Sequence, residues 1–423
     1  MLKPVFRAMR AKAIACAAAA ILLLASAWPA AAAEPIKIGF GMALTGGLAG
    51  NGKAALIAIQ IWAEEVNAKG GLLGRPVQLV YYDDQTNPST VPGIYTKLLD
   101  VDKVDLVVSG YGTNLEAPAM PIIMQHGMTM MGLFGLAVND QFPYDRFFQI
   151  QPNGPNAKIS SIEGFFEAAM TAKPTPKTVA IVGADAEYPK VATEGAREIA
   201  KKLGLKVVYD RSYPPSTVDF TPIIRSIQAA NPDVIYVASY PPDSAGMVRA
   251  ANEVGLKATV FGGGMIGLQF AALKQQLGPM LNGIICYDLY VPEPTMNFPG
   301  IKEFLTKYQP RAAQQGADPL GFYLPPFAYA AMQILGQAVE ETKGLDQARI
   351  AEYIHKTPFK TVVGDISFAA NGEWAEPRII FVQYRGITGN DLEQFKKPGT
   401  AVVVAPAQYK SGDIVAPYTD IKR

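Results

Sequence analysis

Two hydrophobic rhythms alternate along this chain. Residues 36–42, 77–82, 105–109 and 128–133 are short apolar, β-branched runs bounded by Gly, Asp or Asn, a pattern that predicts buried strands. Between them, residues 54–68 place Ile57, Ile61 and Ala68 at helical spacing, residues 90–101 do the same with Tyr95, Leu98 and Leu99, and residues 115–125 follow. Strand, helix and strand in repeated order predict a parallel sheet covered by helices on both faces.

The series restarts after Pro152. Strands are expected at residues 178–182, 206–210, 233–238, 259–261 and 283–287, with helices near 160–172, 190–203, 220–230 and 245–254. Two α/β units in succession imply two lobes with a cleft between them, lined by the loops at the carboxyl ends of both sheets. Residues 149–156 (QIQPNGPN) and 287–295 (YDLYVPEPT) lack periodicity, are rich in Pro or Asn, and are expected to cross between lobes. Beyond them come helical windows at 299–308 and 326–342, then two runs, 359–368 and 378–384, expected to close the fold as a pair of strands. Residues 34–151 and 289–363 are thus assigned to lobe 1, 152–288 and 364–395 to lobe 2, and 396–423 to a Pro-rich surface tail.

The first 33 residues change the expected compartment. Lys3, Arg7, Arg10 and Lys12 precede an apolar run over residues 13–27, and small residues end at Ala33, the order of a secretory signal cleaved between Ala33 and Glu34. The apolar core is short against the roughly 20 residues of a spanning helix, and Cys16 precedes it rather than following it, which argues against a retained anchor or a lipidated cysteine. Cleavage leaves 34 basic against 37 acidic residues and a single cysteine, Cys286, so the exported form carries no internal disulfide. No basic face marks a nucleic-acid partner.

Candidate chemistry begins at the first strand-to-helix turn. Gly47 to Lys53 reads GLAGNGK and satisfies the G-x-x-x-x-G-K of a phosphate-binding loop, but Ala54 stands where Ser or Thr would hold magnesium, and an exported protein meets little ATP. Asp83 and Asp84, adjacent on a strand, point to opposite faces, so they are read as a strand-exit turn with one carboxylate toward the cleft. His126 and His355, the only histidines, have no metal-ligand spacing, and Cys286 falls in a buried strand. No catalytic set, cofactor site or metal site is expected. The enzyme reading therefore has little support.

The opening IKIGFGMALTGGLAGNGKAALIAIQIWAEEVNAKGGLLGRPVQLVYYDDQTNP resembles the leucine/isoleucine/valine-type periplasmic binding proteins of ABC transporters, most specifically in NAKGG, LGRPVQLVYYDD and NP. The segments VAIVGADAEYPKVATEGAREIAKKLGLKVV, DFTPIIRSIQAANPDVIYVASYPPDSAGMVRAANEVGLK and GDISFAANGEW agree with it. The resemblance implies a type I two-lobed α/β fold with three hinge crossings, closing as a monomer on one small solute in the periplasm and presenting it to a membrane permease. A sensory subunit is the alternative.

By the same resemblance, hydroxyls and backbone N–H groups of two first-lobe loops hold a ligand carboxylate. The matching loops are residues 109–114 (SGYGTN), with Tyr111, Thr113 and Asn114, and residues 133–137 (LFGLA), with Phe134 and Leu136 in place of the family's small residue and threonine. Tyr188 and Tyr240 match second-lobe tyrosines, and Asn51 rather than Lys53 is expected to face the solute. The acid that would meet an ammonium should fall in FGGGMIG, where Gly263, Gly264 and Met265 stand. An ammonium enclosed without a counter-charge costs several kcal/mol. The preferred solute is therefore an aromatic or apolar carboxylate or amide, with a hydrophobic or branched-chain amino acid as the other option if a residue such as Asp243 or Glu187 supplies the charge.

Overall fold

The computed structural model describes residues 33–421. The expected export signal, with Cys16, lies outside these residues save for Ala33. Five parallel strands, β1 (Ile36–Met42), β2 (Val77–Asp83), β3 (Leu106–Tyr111), β4 (Met130–Leu133) and β5 (Phe147–Gln149), form a sheet of order β2-β1-β3-β4-β5. All but the second residue of β1 are buried, as a central strand covered on both faces requires, whereas edge strand β2 carries a single buried residue. The short strand β5 was not expected; it falls at the start of the aperiodic segment read as a crossing.

A second sheet takes the order β14-β13-β10-β9-β8-β6-β7. Strands β6 (Thr178–Ala184), β7 (Lys206–Tyr213), β8 (Val234–Ser239), β9 (Val260–Met265) and β10 (Ile285–Asp288) are parallel. Strands β13 (Ile380–Tyr384) and β14 (Ala401–Ala405) extend this sheet as antiparallel neighbours.

Two expectations are corrected here. The runs at 359–368 and 378–384 do not pair with each other. The first folds back on itself as a hairpin of β11 (Phe359–Thr361) and β12 (Gly364–Ile366), and the second is β13. The segment read as a surface tail supplies β14, whose five residues AVVVA are all buried. Prolines on both sides of β14 gave the segment the composition of a coil, while the strand between them was short enough to be passed over.

The chain crosses between lobes three times: from β5 to the helix Ala157–Met170, from β10 to the helix Ile301–Gln314, and from β12 to β13. The helices Ile301–Gln314 and Pro325–Thr342 pack on the first-lobe helix Ala49–Ala68, which returns the intervening loop to the first lobe. In each lobe one strand lies between its sequence successor and the next strand of the series: β1 between β2 and β3, β6 between β7 and β8. At such switch points the loops diverge and leave a crevice. Those two crevices face each other.

Candidate functional site

The glycine-rich turn after β1 is shaped by close packing. A Cβ on Gly52 would lie 1.9 Å from the Ala43 carbonyl oxygen, so only glycine lets the helix Ala49–Ala68 start this near its strand. Lys53 is exposed, whereas Asn51 is buried with its Nδ2 unpartnered, and its side chain sits by the Tyr111 hydroxyl.

Asp83 secures the same turn. Its Oδ1 accepts from Leu44 N at 3.0 Å and Gln85 N at 2.8 Å, and its Oδ2 from the Thr45 hydroxyl at 2.7 Å. Against some desolvation, these bonds hold its pKa below the ordinary value. Burial pushes Asp84 up to about 6. The expectation that one of this pair faces the cleft is corrected: Asp84 is buried behind Gly110 and Asp83 is spent on the turn.

Tyr111, Thr113 and Phe134 of the first lobe meet Tyr188 and Tyr240 of the second around one buried cavity between the lobes. Its open volume is about 10 Å³, room for about one water. Gly112, Gln151, Ile266, Tyr287 and Tyr323 complete the lining, the last four being residues that sequence reasoning missed. Gln151 and Tyr287 sit in the aperiodic crossing segments, Ile266 follows Met265 in the glycine-rich FGGGMIG segment, and Tyr323 lies in the loop GFYLPP; for the two tyrosines, aromatic residues set in Pro-rich coil were the available signal. Asn51, Asn114, Leu136 and Met265 are not among the lining residues of this cavity. Asn51, Leu136 and Met265 are buried behind it, and Asn114 lines the neighbouring space outside Tyr240.

Among the described residues of the cleft, hydrogen bonds reach from lobe to lobe at Tyr240 and at Tyr287. The Tyr240 hydroxyl donates to Asn114 Oδ1 at 2.6 Å, and the Tyr287 and Tyr323 hydroxyls pair deeper in the cleft. Tyr323 also receives a weaker 3.4 Å bond from Tyr111 and packs edge-on against Phe134 and Phe270. Burial pushes the phenols of Tyr111, Tyr188, Tyr240, Tyr287 and Tyr323 upward, so each remains a neutral hydroxyl.

The first-lobe loops spend their own donors internally. Gly112 N donates to Leu133 O, Phe134 N to Gln149 Oε1 at 3.0 Å, and Leu136 N to Thr113 Oγ1 at 2.9 Å. Thr113 keeps its hydroxyl proton for another acceptor. Behind the loops Glu116 is fully buried, accepting from Ser109 Oγ at 2.9 Å and from Gln149 Nε2; burial raises its pKa to about 8.

In the second lobe, the FGGGMIG segment is glycine for lack of room. The Tyr188 hydroxyl donates to the Gly264 carbonyl at 2.9 Å, and a Cβ on Gly264 would lie 2.3 Å from that hydroxyl. An acidic side chain there would displace Tyr188. Glu187 is exposed at the cleft mouth. Asp243 is buried in the first turn of the helix Pro241–Val254, its Oδ2 accepting from the Tyr213 hydroxyl at 3.1 Å.

The other titratable candidates stand apart from the cleft. His126 follows the helix Met120–Gln125, 3.6 Å from Asp100, and His355 Nε2 contacts the Asp145 carbonyl at 2.7 Å. Cys286 is buried in β10 with its thiol donating to Met265 O at 3.4 Å. Among the described residues no group of three His, Cys, Asp or Glu side chains is placed to hold a metal ion.

Two α/β lobes with opposed switch-point crevices and a buried cavity between them define a hinged solute-binding architecture. The profile of the periplasmic binding protein family matches residues 35–390, and the chain belongs to that family. It is 26% identical over 359 residues to the Leu/Ile/Val-binding protein homolog 2 of Brucella abortus, covering 84% of this chain and 92% of that one. In fold it is similar to the branched-chain amino acid transporter substrate binding protein of Streptococcus pneumoniae solved with isoleucine (TM-score 0.72, 22% identity, 88% of this chain and 100% of that one). It is equally similar to an ABC transporter solute-binding protein of R. palustris solved with benzoate (TM-score 0.72, 17% identity, 88% and 96%).

Proposed function

We propose that this protein is a periplasmic receptor, exported by a cleaved signal, that closes as a monomer on one small solute and delivers it to an ABC permease. The solute is an aromatic or apolar carboxylate or amide. One observation carries this reading: the buried interlobe cavity is lined by five tyrosines, a phenylalanine and uncharged polar groups, with no carboxylate to meet an ammonium. A free α-amino acid would enclose its ammonium there at a cost of several kcal/mol, against roughly 8 kcal/mol for micromolar binding. Aromatic walls favour a flat or apolar body, and phenolic and threonine hydroxyls suit a carboxylate or amide oxygen.

With room for about one water, the cavity admits such a solute only when the lobes part. Parting them breaks the Tyr240–Asn114 and Tyr287–Tyr323 bonds, and reclosure on the solute presents a closed form to the permease.

A thermal-shift screen of the exported form against amino acids, benzoates, cinnamates, dicarboxylates and amides tests the assignment, because a ligand at 100 times its Kd stabilises by about 2.7 kcal/mol. Stabilisation by aromatic acids or amides is expected. A strong response to leucine or valine with none to aromatic compounds would overturn the ligand class.

A further inference from the structure

A second cavity lies between the same lobes, and Tyr240 lines both. Its volume is about 170 Å³ against about 10 Å³ for the tyrosine-lined one, so most of the space around Tyr240 lies on its outer side. Gly47, Leu48 and Leu115 of the first lobe and Ala184, Pro215 and Pro242 of the second give it largely apolar walls.

Into those walls is set one carboxylate. Asp243 is only 7% exposed. The Tyr213 hydroxyl hydrogen-bonds it, backbone N–H groups at the start of its helix favour its charged form, and among the described residues no basic side chain pairs with it. Burial without a cation raises its pKa. A carboxylate in that setting gains most from a ligand that brings the missing positive charge, since charge-assisted hydrogen bonds are about twice as strong as neutral ones.

We infer that the Asp243 cavity is a second subsite of the cleft that takes a basic nitrogen, so that the solute joins an aromatic or apolar carboxylate or amide head to a protonated amine beyond Tyr240. This inference rests on the head-group reading above, and it adds the distal charge. Asp243 lies in the first turn of the second-lobe helix after β8, whereas the FGGGMIG segment that lacks an acid follows β9. The amine is therefore recognised at a site apart from the enclosed head.

Isothermal titration of the exported protein with benzamide, benzylamine and 4-(aminomethyl)benzamide tests it, in the native chain and in Asp243→Asn, which keeps an oxygen for Tyr213. A preference of about thirtyfold for 4-(aminomethyl)benzamide over benzamide is expected, collapsing toward unity in the variant. Melting of the unliganded variant near the native temperature shows that it folds; if it does not, Asp243→Glu, which preserves the charge, must retain the preference.

Binding of benzamide with no gain from the aminomethyl group would overturn the inference and leave the head-group reading intact. A preference that persists in Asp243→Asn would also overturn it. Benzylamine binding that depends on Asp243, with no response to benzamide, would support the subsite and count against the head-group reading. Silence from all three compounds would sink both.

Discussion

On the first-lobe side of the cleft, Leu133 and Phe134 are fixed by bonds that run back through Ser109 and Gln149 to the buried Glu116, and Leu136 N is held by the Thr113 hydroxyl. On the second-lobe side, Tyr188 and Tyr240 project from helix starts, and Tyr188 stands over a run of three glycines. The first wall is stiff because its polar groups are consumed by its own framework. The second is a set of rings held by a few bonds, and the lobes meet where those rings reach across. On the proposed function, one wall would set the shape of the site while the other would adapt to the solute and report closure.

The largest effect should come from the stiff wall. Glu116→Ala strands the Gln149 amide and the Ser109 hydroxyl and leaves a cavity, so urea unfolding should show a loss of about 3 kcal/mol. Glu116→Gln separates charge from shape. With a folded pKa near 8 against an ordinary 4.5, the folded state holds a proton that the unfolded chain has released. That contribution is complete below about pH 4.5 and is lost as pH rises toward 8. Native stability should fall across that window, and Glu116→Gln should flatten the decline; burial raises Glu373 in the same direction, so some slope remains. A slope unchanged in the glutamine variant would show that Glu116 titrates normally.

Effects on the adaptable wall should appear in binding rather than folding. Tyr188→Ala removes a ring from the cavity and should weaken binding of whichever benzoate or benzamide scores in the screen by roughly thirtyfold, about 2 kcal/mol. Unchanged affinity there would remove Tyr188 from the site. Tyr240→Phe keeps the ring and deletes only the bond to Asn114, so a loss of about 1 kcal/mol, near fivefold, is expected. If the bond matters only for closure, the dissociation rate should carry most of that change. The smallest effect is assigned to Lys53→Ala, within about 0.5 kcal/mol in both binding and stability, because Lys53 is exposed on the helix after the glycine turn.

Much of the fold was legible because β-strands buried on both faces read as apolar runs, and helices packed on one side read at three- and four-residue spacing. What escaped were elements that borrow their context from elsewhere: the three-residue β5, the hairpin of β11 and β12, and β14 between prolines. Tyr111, Thr113, Phe134, Tyr188 and Tyr240 line one cavity, and their loops were readable because loops at the carboxyl ends of strands are readable once the strands are. Tyr323 was not, because it enters the cleft from a loop far along the chain that returns only after the second crossing. Leu136 illustrates the converse. Its loop was found correctly, and its side chain turned into the wall.

The sequence by itself determined a two-lobed α/β architecture of the periplasmic binding protein family and the absence of an acid in the FGGGMIG segment. These follow from local periodicity, from missing residue types and from motifs contiguous in the chain. Only the tertiary structure decided that Asp83 and Asp84 serve the framework and that Tyr188 fills the space an acid would need. It also decided that Asp243 is buried beside the cleft without a counter-charge. Which way a side chain faces, and what stands opposite it, depends on elements brought together from distant parts of the chain, and no local pattern carries that information.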